Sequence, residues 1–157
     1  CLGGGGVDGE INRRGGPELL NARQELPFVD TWKRCETGDA KITVAGALPC
    51  AKVIHAVGPM FGHGDEHEAD LALLESAYKS SIERAVENGL KSVAFCILSG
   101  GIFRGSCPLL TVIKAGMKAI AEHASVSGLE TVVFCAFTPD EKEIFPQAIK
   151  ELLMDAM

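Results

Sequence analysis

The sequence contains no CxxC pair, no internal repeat, no low-complexity tract and no block of charge that would mark a linker. Its six cysteines (Cys1, Cys35, Cys50, Cys96, Cys107 and Cys135) lack the spacing of a small disulfide scaffold, so a reduced, intracellular protein, cytoplasmic or nuclear, is expected. Cys96 and Cys135 fall inside apolar runs and read as small core residues. No apolar stretch approaches the roughly 20 residues that span a bilayer, and the layout of a signal peptide is missing, so no membrane partner is expected. Positive charge is scarce as well. Fifteen Lys and Arg against 21 Asp and Glu leave a net charge of −6, with acids gathered at residues 65–70 and 140–143. That balance argues against nucleic acid as a partner and requires any anionic ligand to be held locally. The chain also has no initiator methionine and Cys1 stands almost on a glycine run, so N-terminal strands are expected to lie in an upstream segment.

What is present fits a single domain over residues 1–157, with 46% hydrophobic residues to form a core. Residues 8–14 predict a short helix, and Pro17 begins a second at a tolerated first-turn position. Residues 41–45 alternate, with Ile42 and Val44 on one face, and "KVIHAV" (52–57) is a second strand. From 69 to 88, Leu71, Leu74, Tyr78, Ile82 and Ala85 recur at three- and four-residue steps, and Asn88-Gly89 stops the helix. "SVAFCIL" (92–98) and "TVVFCAF" (131–137) are unbroken apolar runs, expected of central strands covered on both faces. Leu109, Val112, Ile113, Met117 and Ile120 define an amphipathic helix between them. Thr138-Pro139-Asp140-Glu141 reads as a capping box for a last helix running toward Leu153, with Pro146 placed to break or restart it. The class is α/β, with helices on both faces of a largely parallel sheet.

Two glycine-rich segments suggest chemistry. The chain opens on "CLGGGGVDGE", and the loop after Leu98 reads "SGGIFRGS". Bare backbone N–H groups in such loops, with those of a following helix start, enclose a phosphate without any lysine. Phe103 suits a sugar or base face, and Arg104 adds charge nearby. The nucleoside-triphosphate loop pattern fails, because Gly105 is followed by Ser106-Cys107 rather than Lys-Ser or Lys-Thr. Gly4, Gly6 and Gly9 satisfy G-x-G-x-x-G, with Asp30 downstream, but the strand that the dinucleotide fingerprint requires is not visible before Gly4.

"LGGGGVDGEI", "GGPELL", "CETGDAKIT", "VIHAVGP", "NGLKSVAF" and "SGGIFRG", in that order along residues 2–153, resemble a macrodomain, the ADP-ribose-binding module. The resemblance is closest to the mono-ADP-ribosyl-hydrolase class. It implies a three-layer α/β/α fold with a mixed, largely parallel sheet. It implies that Gly5, Gly6, Val7 and Asp8 line one wall of a diphosphate–ribose cleft and that Ser99, Gly100, Gly101, Ile102 and Phe103 line the other. Asp8 is the catalytic carboxylate under this resemblance, orienting or deprotonating a water that attacks the ester between ADP-ribose and a protein acid or an acyl group. No metal and no cofactor is implied; the partner is ADP-ribose or an ADP-ribosylated protein. Asn12 stands where many hydrolytic relatives have histidine, Arg104 where glycine is usual and Ser106 where proline is common. A non-catalytic reader using the same cleft is the alternative.

Other chemistry-bearing residues have structural readings. His63 and His67 lie in a glycine-containing loop rather than on a helix face, so they read as solvated. His55 reads as a hydrogen-bonded histidine within the sheet, and His123 as a favourable charge near a helix C-terminus. Trp32 is expected to cover the core, and Cys107 to be a bystander.

Overall fold

The computed structural model describes residues 4–64, 66–125 and 127–155. The elements run α1 (Gly6–Glu25), β1 (Ala40–Val44), β2 (Lys52–Ala56), α2 (Glu68–Glu87), β3 (Ser92–Cys96), α3 (Leu109–Ala124), β4 (Thr131–Cys135) and α4 (Pro139–Asp155). Among the described residues, no helix is long and apolar enough to cross a membrane, and the five described cysteines are all free.

α1 is two helices joined at a corner. Gly16 sits at φ 69°, ψ −164°, a conformation open to glycine, immediately before Pro17. Proline pushes its predecessor out of the helical region, and glycine lets that predecessor turn the chain sharply. The two short helices expected from the sequence are therefore present, the first beginning at Gly6 rather than Asp8. The corner folds the second half back on the first. In a straight helix, Asp8 and Arg23 would lie about 22 Å apart; here they are in contact.

The strands form two pairs. β1 and β2 are antiparallel, with Ile42 opposite Ile54. β3 and β4 are parallel, with Phe95 opposite Phe134 and Cys96 opposite Cys135. The pairing is mixed, as expected; among the described residues it divides evenly into two two-stranded sheets. α2 packs across β1, β2 and β3, α1 packs on β1, and α3 contacts both α2 and α4. The core is built where α2 and α3 meet β3: Leu74, Tyr78, Phe95, Val112 and Ile120 are all buried together. Fully burying side chains of this kind contributes about 1.5–3 kcal/mol each. Tyr78 and the rings of Phe95 and Phe134 have centroids 5.3 and 5.8 Å apart, and Phe145 of α4 joins at 5.6 Å from Phe134.

Several expectations are corrected. β3 and β4 are not covered on both faces: Val133 and Cys135, which share one face of β4, are exposed, and so is Ala94 on β3. Trp32 is 74% exposed rather than covering the core. It lies in a surface loop closed by Val29 N–H donating to the Lys33 carbonyl at 2.8 Å, with Lys33 Nζ 5.5 Å from its ring. Pro146 does not break α4. The capping box forms, with Glu141 N–H donating to Thr138 Oγ1 and Thr138 N–H to Glu141 Oε2, both at 3.2 Å. Lys114 of α3 then holds the far end of the helix through Glu151 at 3.0 Å and Asp155 at 3.3 Å.

Tyr78 ties this core to the loop after β3, because its hydroxyl oxygen accepts the Leu98 N–H at 2.9 Å. Tyr78→Phe strands that donor, so urea denaturation should show about 1–2 kcal/mol less stability with an unchanged slope. An unchanged midpoint would show that the bond carries no structural load.

Candidate functional site

Asp8 lies in the first turn of α1, just after the exposed backbone of Gly4, Gly5 and Gly6. Gly5 occupies the N-cap and no side chain caps the helix, so the first-turn amides have no side-chain acceptor. The side chain of Val7 is exposed. Beneath this turn sits Arg23, only 1% exposed. Its Nη2 donates to Asp8 Oδ1 at 2.7 Å, and its Nη1 donates to Asn12 Oδ1 at 3.1 Å. Asp8 is 38% exposed at the side chain, yet its Oδ2 is buried and makes no hydrogen bond. The carboxylate is thus anchored by one oxygen and unpartnered at the other. Removing the partner of a buried charge typically costs about 3–5 kcal/mol, so Asp8 carries structural weight as the partner of Arg23.

His55 on β2 completes this cluster from the sheet side. Its Nε2 lies 2.8 Å from Thr43 Oγ1, whose single proton goes to the Val44 carbonyl at 2.9 Å. With the hydroxyl proton on that carbonyl, the contact suits the tautomer that carries its proton on Nε2. Burial pushes its pKa down from 6.5 to about 4, the charge of Arg23 adds to the shift, and Asp8 opposes it. The expected hydrogen-bonded, structural histidine is what the strand contains.

The second glycine segment leaves the C-terminal end of β3. Ser99 has φ 55°, unusual for a residue with a side chain, and its hydroxyl donates to the Pro59 carbonyl at 2.7 Å. Gly58 leaves no room for a Cβ beside the Ser99 hydroxyl, so the bare backbone of the loop after β2 packs on a side chain of the loop after β3. Gly101 precedes a single 3-10 turn over Ile102–Arg104. Ile102 is 94% exposed, and Phe103 is also exposed while its carbonyl accepts the Phe61 N–H at 2.8 Å. Gly105 at φ 56° closes the loop against the Phe61 and Gly62 carbonyls, where a Cβ would come within 2.4 and 2.6 Å. Arg104 turns inward, its Nη1 donating to the Cys107 carbonyl at 2.7 Å. Cys107 is fully buried and its thiol pKa is raised by that burial, in keeping with a bystander.

The residues singled out in the sequence thus fall into two groups. Gly5, Gly6, Val7 and Asp8 open α1; Ser99, Gly100, Gly101, Ile102, Phe103 and Arg104 form the loop after β3. β2 joins them, since His55 feels the charge of Asp8 and Gly58, three residues on, packs on Ser99. Sequence reasoning missed two residues. Arg23 follows Gly15 and Leu19 at four-residue steps along the buried side of α1, and an arginine in that register has to find an internal partner. Phe137 is 94% exposed just beyond β4, beside a hollow of about 540 Å³ lined by Ala136, Thr138, Pro139, Lys142 and Glu143. Because β3 and β4 are parallel and in register, this hollow and the Ser99 loop leave the same end of the pair. His63 is exposed, and His67 stands at the N-cap position of α2 without a side-chain capping bond, its ring edge-on to Phe61 at 5.6 Å.

A family model described as Macro domain matches residues 1–115. The chain belongs to the macro domain family. An O-acetyl-ADP-ribose deacetylase of Enterobacter cloacae is 46% identical over 102 residues, covering 65% of this chain and 54% of that protein. A macro domain-containing protein of Chlorobaculum tepidum is 38% identical over 149 residues, 94% of this chain and 81% of that one. Among solved structures, a mutant Oceanobacillus iheyensis macrodomain with ADPR superposes with a TM-score of 0.85 at 28% identity, covering 98% of this chain and 81% of that one. The Trypanosoma brucei macrodomain in complex with ADP gives 0.75 at 33% identity, with 95% and 58% covered. The chain spans about half the length of the Enterobacter deacetylase and of its Escherichia fergusonii counterpart.

The macrodomain's buried histidine makes a pH signature. The unfolded chain protonates this imidazole near 6.5 and the folded chain near 4. Between these values the unfolded state binds more protons, so stability falls as pH drops, by up to about 3 kcal/mol. An NMR titration should give His55 a midpoint near 4, and His55→Gln should flatten the stability slope between pH 6.5 and 4. A His55 midpoint at the ordinary value would contradict the burial argument.

Proposed function

We propose that this macrodomain binds ADP-ribose and hydrolyses esters of it, either O-acyl-ADP-ribose or mono-ADP-ribose on acidic side chains of proteins. The observation that carries the reading is Asp8. It is a carboxylate anchored through one oxygen at the start of a helix whose first-turn amides have no side-chain cap, near His55 of β2, and the loop after β2 packs on the second exposed glycine loop. The diphosphate is held by amides of Gly5, Gly6 and Val7 on one side and of the loop Ser99–Ile102 on the other, as suits a chain of net charge −6. Phe103 lies against the ribose, and Phe137, exposed at the same end of the β3–β4 pair, offers its face to the adenine. The likeness to a macrodomain solved with ADPR and to proteins named O-acetyl-ADP-ribose deacetylase supports the same ligand and bond.

In the reaction, Asp8 Oδ2 takes a proton from a bound water as its oxygen adds to the ester carbonyl. The carbonyl–ribose oxygen bond then breaks, and the proton passes to the departing ribose hydroxyl, giving free ADP-ribose and a carboxylic acid. No step calls for a metal or cofactor. The rival reading, a reader that binds without turnover, draws on Arg23 already holding Asp8 and on Asn12 being engaged by the same guanidinium.

The sheet's division bears on domain extent. β2 and β3 each have one unpaired edge among the described residues, and α2 packs on both strands. We infer that one further strand, from an N-terminal segment, pairs with these edges and closes a single mixed sheet.

Calorimetry should give one ADP-ribose site per chain, with AMP competing more weakly. Asp8→Asn, chosen to retain a partner for Arg23, should retain binding while cutting ADP-ribose release from O-acetyl-ADP-ribose by about 100-fold or more. Binding without release by the unaltered chain would leave the reader; release undiminished by Asp8→Asn would remove Asp8 from the reaction.

A further inference from the structure

We infer that Arg23 is a positioning residue for the ester hydrolysis: its buried guanidinium fixes the Asp8 carboxylate so that Oδ1 is engaged and Oδ2 is presented to the reacting water. The inference rests on the reading of Asp8 as the catalytic carboxylate. Three observations carry it. Arg23 is 1% exposed and its Nη2–Oδ1 contact is 2.7 Å, so the pair is anchored from within the protein rather than exchanging with solvent. A surface pair at that distance would hold its carboxylate only weakly, whereas a guanidinium locked in a planar fork removes the carboxylate's rotation.

The second observation is geometric. The fork spans two residues one helical turn apart, Asp8 through Nη2 and Asn12 through Nη1 at 3.1 Å, so the charge is registered against the first half of α1 rather than against a single side chain. Arg23 itself lies on the second half, beyond the Gly16 corner and one turn after the fully buried Leu19. The corner therefore sets where the carboxylate stands. The third is the asymmetry of Asp8: Oδ2 is buried and without a hydrogen bond, the oxygen left for a water or ribose hydroxyl to supply. His55 stands behind as a neutral, hydrogen-bonded ring, so the cation facing Asp8 from this cluster is Arg23, with Thr43 paired to the imidazole.

The test is a double-mutant cycle on the full chain with O-acetyl-ADP-ribose as substrate and free ADP-ribose as binding probe. The proteins are the unaltered chain, Arg23→Met, Asp8→Asn and the double variant, each checked for a cooperative melt. Arg23→Lys is added in case Met unfolds the chain. Arg23→Met should lower kcat by about 10- to 100-fold, the scale expected when a catalytic group is misplaced rather than deleted. It should leave the ADP-ribose Kd within about threefold, and the double variant should be no slower than Asp8→Asn, because residues acting as a unit are not additive. Arg23→Lys, which retains a cation without the fork, should recover part of the kcat loss.

An unaltered kcat in a folded Arg23→Met or Arg23→Lys variant overturns the proposal while leaving Asp8 in place. So does an equal loss on the Asp8→Asn background, which would mark Arg23 as merely structural. If Asp8→Asn itself turns over normally, or the unaltered chain releases no ADP-ribose, the reading of Asp8 fails and the role of Arg23 fails with it.

Discussion

A guanidinium that is 1% exposed must find its partners inside the protein, and Arg23 finds them on the first half of its own helix. That requirement organises the N-terminal third of the molecule. It needs the corner at Gly16, because without a reversal the arginine and its carboxylate would be turns apart on one rod. It needs Leu19 buried one turn earlier, so that the second half of α1 is seated before the charge is placed. It also bears on β2, where a second cation beside Arg23 would be repelled; burial and that repulsion together hold His55 neutral. A charged cluster in which Asp8 Oδ2 is buried without a hydrogen bond is the result, next to the exposed glycines 4–6.

The remainder of the candidate site is made from backbone. The loop after β3 is braced on the loop after β2 by the Ser99 hydroxyl and the Pro59 carbonyl, by Phe61 N–H on the Phe103 carbonyl, and by Ser106 reaching the Gly62 and Gly64 carbonyls. These contacts fix main-chain positions through side chains and the Phe61 amide, while within the loop itself Gly100 N–H donates to the Ile97 carbonyl at 3.3 Å and Arg104 N–H to the Gly101 carbonyl at 3.0 Å. Such a division suits an acidic domain under the proposed reading: a diphosphate would be attracted by short-range amide dipoles, and the net charge of −6 discourages long-range capture of polyanions.

Much of this was legible in the sequence, for reasons that differ by element. α2 and α3 repeat apolar residues at helical steps and fall within a residue or a turn of where those steps put them. The capping box of α4 names its own partners, Thr138 and Glu141. The glycine segments could be picked out because only close backbone approach explains such composition. What the sequence hid was mostly long-range. The Arg23–Asp8 contact spans fifteen positions and depends on a corner whose angle no local pattern states. Arg104 reads as a charge for the ligand until the fold turns it onto Cys107. The apolar runs of β3 and β4 suggested burial on both faces, yet burial depends on what packs over each face, and along β4 the side chains of Thr131, Val133 and Cys135 on one face are exposed. Trp32 misled for a simpler reason: a large aromatic is usually inside, and here a tight surface loop holds it out.

The central claim is that two backbone segments and one anchored carboxylate converge on a single ligand. A crystal structure of the chain with ADP-ribose tests it most directly. The account predicts the diphosphate against amides of both Gly5–Gly6 and Gly100–Gly101, with the distal ribose within hydrogen-bond reach of Asp8 and the Arg23 contact intact. A ligand that touches one segment alone, or that sits in the hollow beside Phe137 with its distal ribose turned away from Asp8, would contradict it.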